Sequence, residues 1–212
     1  MLPTPVQLPA LICLLSVALL LVFERQGLRR AEWLFKPLAA LAFIWAGLAC
    51  GALDSVYGQW ILMGLVLCMA GDVLLIPRGQ GPAFLAGMAA FLLGHLGYAI
   101  AFLQLPLDMR ALLGAVVGMG LAAALVLRWL WAYLDAQFKV AVVAYVLVIS
   151  AMVCLAVATG HSWVIIGAIA FAVSDLSVAR NRFVAPGLFN RQWGLPLYFA
   201  SQLVIAATIV MV

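Results

Sequence analysis

Three ionisable side chains, Asp72, His95 and Asp175, stand inside long apolar runs of this chain. A charge in hydrocarbon is costly, so each such group is by default a candidate for function. Asp72 precedes the end of one apolar run, at Ile76, by four residues, and Asp175 precedes the end of another, at Ala179, by four. At the helical rise, both carboxylates lie roughly 6 Å inside the same membrane boundary. If their helices are neighbours, the two acids face one polar cavity. Two carboxyl groups in unlike surroundings can divide acid and base roles between them. The structural alternative is that each caps a helix or pairs with a loop arginine such as Arg78 or Arg180.

Other polar groups fall near these acids. Phe84, Met88, Phe91, His95 and Tyr98 recur at three- and four-residue spacing and share one helix face. His95 is either a satisfied structural donor or a site residue. Gly87 and Gly94 allow that helix to pack closely. Tyr198, Ser201 and Gln202 stand in the last apolar run, with Tyr198 and Gln202 one turn apart. They can bond to the carboxylates, to a substrate, or simply across helices.

The elements that must hold these groups are membrane helices. The chain has 212 residues, 68% hydrophobic and 8% charged, with a mean hydropathy of +1.24. Ordinary soluble domains carry about 25% charged residues, and a soluble chain needs a polar exterior. A bilayer core of about 30 Å takes roughly 17–25 residues of helix. Eight stretches qualify: Gln7–Phe23, Pro37–Leu53, Gln59–Ile76, Pro82–Leu103, Ala111–Leu127, Val140–Ala158, Trp163–Ala179 and Leu195–Val212. Trp33, Trp60, Trp129, Trp131, Trp163 and Trp193 mark span ends, as an interfacial aromatic belt requires. The expectation is an all-α polytopic bundle, one integral membrane domain over residues 1–212. A weak echo joins its halves: Gly71-Asp72 followed by Arg78, and Ser174-Asp175 followed by Arg180 and Arg182. It hints at two related four-helix units.

Charge placement gives an orientation. Arg25, Arg29, Arg30, Lys36, Arg78, Arg128, Lys139, Arg180, Arg182 and Arg191 fall in connections on one side of an eight-helix chain, and Arg110 on the other. Positive connections stay in the cytoplasm, so both termini are expected outside it, in a cell membrane such as the bacterial inner membrane. The net charge of +4 serves this orientation and headgroup contact. No basic stripe with interleaved exposed aromatics suggests nucleic acid. Cys13, Cys50, Cys68 and Cys154 lie in apolar runs without CxxC spacing and read as inert buried thiols. The first apolar run lacks a preceding Lys or Arg and a cleavage pattern, and reads as a retained helix.

Several short motifs resemble the YhhN family. They are Ala70-Gly71-Asp72-Val73-Leu74-Leu75, the stretch Phe91 to Tyr98, the block Ala172 to Ser177 with Arg180 and Phe183, and Leu197 to Gln202. The Lys36-Pro37 pair fits as well. The resemblance runs over nearly the whole chain. It implies a lysoplasmalogenase-like hydrolase that cleaves the vinyl ether of lysoplasmalogens to a fatty aldehyde and glycerophosphocholine or glycerophosphoethanolamine. It also implies that Asp72 and Asp175 are the catalytic pair. A single-chain lipid then enters sideways from the membrane, with Lys36, His95, Tyr98, Arg180, Tyr198 and Gln202 as candidate substrate contacts. Arg78, Arg182 and Arg191 are further basic groups for its phosphate.

No cofactor motif is present: there is no GxGxxG, P-loop, HExxH or GxSxG. No metal or cofactor is expected. Two other classes remain open on the residues alone. Intramembrane acids also serve proton-coupled or small-molecule transporters. Asp72, Asp175 and His95 could instead hold a metal in a lipid hydrolase, although a single deep histidine suits zinc poorly.

Overall fold

The computed structural model describes residues 3–212. It contains eight helices long and apolar enough to cross a membrane. They are α1 (Thr4–Arg25), α2 (Glu32–Ala49), α3 (Val56–Leu74), α4 (Pro82–Phe102), α5 (Met109–Leu130), α6 (Ala136–Ala158), α7 (Ser162–Ala179) and α8 (Leu188–Ala207). Among the described residues there is no strand. Their starts are set locally. Ser55 Oγ accepts from the Gly58 amide at the head of α3. Asp108 and Asp135 do the same for α5 and α6, satisfying amides that a helix start leaves free.

Two helices begin earlier than their prolines suggest. α2 starts at Glu32, five residues before Pro37, and α8 at Leu188, eight before Pro196. A proline costs one backbone hydrogen bond, but tightly packed membrane helices tolerate that loss. Lys36 and Arg191 therefore lie inside helices, not in the connections where a hydropathy reading puts them. α7 continues into a single π turn, Arg180–Val184, just past Asp175.

Sequential helices pair as α1 with α2, α3 with α4, α5 with α6, and α7 with α8. In each half the second helix also packs on the third, α2 on α3 and α6 on α7. The halves interlock reciprocally: α2 packs on α8, and α6 packs on α4. This pairing supports two related four-helix units. One relation breaks the pattern. α1 also rests on α8, whereas its counterpart α5 has α6 as its one extensive neighbour. Within α5 only Leu130 is buried.

Small residues bring backbones together where polar groups must meet. A side chain at Gly64 of α3 would overlap the ring of Tyr98 on α4, and one at Gly194 of α8 would overlap Ser177 of α7. Lipid tails are as apolar as leucine, so such close packing takes over the work that burial does in water. Exposed Leu113, Leu121, Leu125 and Val140 face outward. Exposed Trp33, Trp131 and Trp163 stand near helix ends. Cys13, Cys50, Cys68 and Cys154 are buried and unpaired.

Candidate active site

Asp72, on the last turn of α3, is only 2% exposed. A lone charge so placed would be untenable, and it is not alone. The Lys36 ammonium on α2 lies 3.2 Å from its Oδ1 and donates to its main-chain oxygen at 2.9 Å. The Tyr198 hydroxyl on α8 donates to Oδ2 at 2.7 Å. Both oxygens thus face donors, and one donor carries the opposite charge. Those partners suit an ionised carboxylate.

Asp175, on α7, is clamped from the same directions by different chemistry. The Tyr145 hydroxyl on α6 donates to Oδ2 at 2.7 Å. His95 Nε2, on α4, stands 3.6 Å from the same oxygen, just beyond hydrogen-bond length, and has no other partner. His95 Nδ1 lies 2.7 Å from the Phe91 carbonyl oxygen. A carbonyl only accepts, so Nδ1 carries a hydrogen. Nε2 therefore presents a lone pair to Asp175 when the ring is neutral, and an N–H when it is charged. In either case one proton fits between the two groups. Phe171 stacks on the His95 ring at 4.3 Å and fixes its plane.

The two clamps are counterparts. Each aspartate takes one donor from the second helix of its own half and one group from the fourth helix of the other half. His95 follows Asp72 by 23 residues, and Tyr198 follows Asp175 by the same 23. The occupants differ: lysine and tyrosine at Asp72, tyrosine and histidine at Asp175.

Both carboxylates line one cavity of about 320 Å³, which Lys36, Tyr145 and Tyr198 also line. Ser174 and Ser177 line it beside Asp175, and on the side away from the connections its walls are apolar except for Ser150. At the other end it meets a polar recess through Asn181, Arg182 and Arg191, which line both. Arg182 is pinned by donating to the carbonyls of Leu75 at 2.6 Å and Gly79 at 3.0 Å. Arg191 pairs with Glu24 at 2.7 Å and Glu32 at 3.2 Å. Arg78 reaches Glu32 at 3.7 Å and is half exposed. With Arg29, four guanidinium groups meet two carboxylates around this recess, leaving an excess of positive charge.

The sequence-selected residues divide into three groups. Asp72, Asp175, Lys36 and Tyr198 come together on the cavity, and His95 backs Asp175. Tyr98 and Gln202 bond to each other and sit in the packed core, outside the cavity lining. Arg180 is exposed, donates to Asn190 and lines neither recess. Lys36, read as a cation opening a helix, is a buried partner of Asp72. Sequence reading missed Tyr145, Glu24 and Glu32. Tyr145 had a signal: it stands in mid-span of α6, whereas membrane tyrosines gather at interfaces. Among the described residues no cluster of three His, Cys, Asp or Glu side chains is placed to hold a metal ion.

These features define a polytopic membrane protein with a two-carboxylate cavity whose mouth is basic. The YhhN family model matches residues 31–209, and the chain belongs to the YhhN family. It is 34% identical over 158 residues to a protein of Mycobacterium bovis named lysoplasmalogenase, covering 70% of this chain and 59% of that one. It is 35% identical over 188 residues to lysoplasmalogenase TMEM86A of Bos taurus, covering 84% and 73%. Human lysoplasmalogenase TMEM86B is 35% identical over 173 residues, covering 80% and 70%. The chain thus spans less than two thirds of the mycobacterial relative. No solved structure matches.

Proposed function

We propose that this protein hydrolyses the vinyl ether of lysoplasmalogens, with the Asp175–His95 pair as proton donor and Asp72 as the anionic partner. The observation that carries this reading is the unlike clamping of two acids on one cavity. A vinyl ether breaks once its alkene carbon is protonated, which yields an oxocarbenium ion. The Asp175–His95 pair supplies that proton, and Tyr145 orients the carboxyl group. Asp72, held anionic by Lys36 and Tyr198, lies across the cavity and stabilises the cation. It then takes a proton from the attacking water. The resulting hemiacetal returns its hydroxyl proton to Asp175–His95, while Asp72 protonates the departing glycerol oxygen. The products are a fatty aldehyde and a glycerophospho-alcohol, and both acids end as they began.

The substrate phosphate fits the basic recess beyond Arg182, and charge-assisted hydrogen bonds from arginine suit it. The recess lies at the end that carries the basic connections, so the headgroup is handled on the cytoplasmic side and both termini lie outside. The names of the mycobacterial, bovine and human relatives favour the same reaction.

The test is product analysis of the pure protein with lysoplasmalogen, scoring free aldehyde by mass spectrometry. Asp72→Asn and Asp175→Asn should each lower turnover by roughly 10²- to 10⁴-fold, the usual worth of general acid–base catalysis, in protein that still folds. Near wild-type rates in both variants would overturn the mechanism.

A further inference from the structure

Where does the hydrocarbon chain of such a substrate lie? We infer that it runs in a groove between α5 and α7, over α6, which opens sideways to the bilayer, so that the far end of the chain stays in lipid. This inference rests on the hydrolase reading for the identity of the headgroup, but on separate residues for the groove.

Beyond the carboxylates the cavity is walled by Met119 of α5, Ile149 and Val153 of α6, and Ile169 and Val173 of α7. α6 forms the floor. α5 and α7 make no extensive contact with each other, although both line the space. Ile169 and Val173 are 43% and 39% exposed while lining it, so the groove is open along that side. α5 is free to stand apart: its counterpart α1 is held on two neighbours, and α5 extensively on one. A side chain added at Gly114, Gly118 or Gly120 of α5 would meet nothing.

One occupant matches these walls. The groove joins the carboxylates at one end and, Ser150 apart, is apolar along its length, which suits a single alkyl chain. The whole cavity, about 320 Å³, is at the lower end of the size range for ligand pockets, so there is room for one chain. Val153 lies eight residues beyond Tyr145 on α6, about 12 Å along the helix axis. Carbon–carbon bonds of about 1.5 Å in a zigzag fill that length with roughly nine to ten carbons. A longer membrane chain must leave through the open side. Because surrounding lipid is as apolar as the groove, methylene groups beyond the exit neither gain nor lose by it. The groove grips the first part of the chain and does not measure the rest.

The experiment uses the full chain in lipid nanodiscs. A lysophospholipid carrying a mid-chain diazirine is photolysed, and labelled residues are mapped. Labelling of α5 and α7 at Met119, Ile169 and Val173 is expected; labelling confined to other helices overturns the groove. In parallel, hydrolysis is followed for vinyl ether lysophospholipids from shorter than the groove to well beyond it. Rates should rise until the groove is filled and then stay flat within about twofold; a steady fall among the longer chains overturns the open side. Ile169→Trp, six residues along α7 from Asp175, should lower hydrolysis of long chains by about tenfold and spare the shortest; equal effects on both overturn the assignment of that wall. The two readings fail separately. Labels in the groove without aldehyde from any chain sink the hydrolase reading alone. Aldehyde with labels elsewhere sinks the groove alone.

Discussion

Lys36→Met removes the cation from Asp72 while keeping an unbranched chain of similar length. The pair is deeply buried, with side chains 8% and 2% exposed and an N–O distance of 3.2 Å. Breaking a buried pair by deleting one partner costs about 3–5 kcal/mol, because the other charge is left uncompensated. For a chain of about 200 residues each kcal/mol moves Tm by about 2–4 °C, so the variant should melt roughly 6–20 °C lower. The Tyr198 hydroxyl at 2.7 Å remains, which favours the lower half of that range. Adding Asp72→Asn removes the stranded charge, and the double variant should regain most of the lost Tm. The double variant should lose turnover as Asp72→Asn does, since it lacks the carboxylate facing the cation, and the single variant should turn over more slowly than wild type, since an uncompensated Asp72 is more readily protonated. The assay is thermal melting in detergent or nanodiscs alongside aldehyde release. A single variant that melts and turns over like wild type would refute the claim that Lys36 holds Asp72 as a carboxylate. A double variant no more stable than the single one would refute the charge argument in favour of a simple packing defect.

Tyr145→Phe deletes one hydrogen bond to Asp175; at about 1.5–3 kcal/mol for a bond to a charged group, kcat should fall roughly 10- to 100-fold with KM little changed in steady-state assays. Arg180→Ala should leave KM for lysoplasmalogen within about twofold, because Arg180 is an exposed partner of Asn190 and surface interactions are weak. Arg78→Ala, at the basic recess, should raise KM and make it less sensitive to salt; equal KM values for both variants would remove the phosphate site from that recess. A reporter at the C-terminus should read as extracytoplasmic; a cytoplasmic signal would reverse the orientation.

Much of this fold was legible because membrane helices announce themselves by composition. The eight spans and the matched placement of Asp72 and Asp175 follow from apolar run length and from the cost of charge in lipid. What failed to show followed from the same logic. Hydropathy starts a helix where polarity ends, so it placed Lys36 and Arg191 in connections. Their charges are neutralised within the bundle by Asp72, Glu24 and Glu32, partners far away in sequence that no local window sees. Tyr98 and Gln202 share faces with real site residues, and periodicity cannot tell a residue facing the cavity from one facing the next helix. The equal spacing from Asp72 to His95 and from Asp175 to Tyr198 was present in the sequence. It acquires meaning only once α4 and α8 are known to reach across to the opposite half.

That crossing has a consequence for biosynthesis. When the ribosome has released only α1 to α4, His95 waits for Asp175 and Asp72 waits for Tyr198. A half-made chain therefore holds polar groups in hydrocarbon with their partners still unwritten, a state that invites other membrane chains to bind or degrade it. α7 and α8 satisfy both groups together, so the cavity is completed only when both have been made. Cut between α4 and α5 and expressed as two pieces, the halves should find each other in the membrane, because neither is electrostatically finished alone.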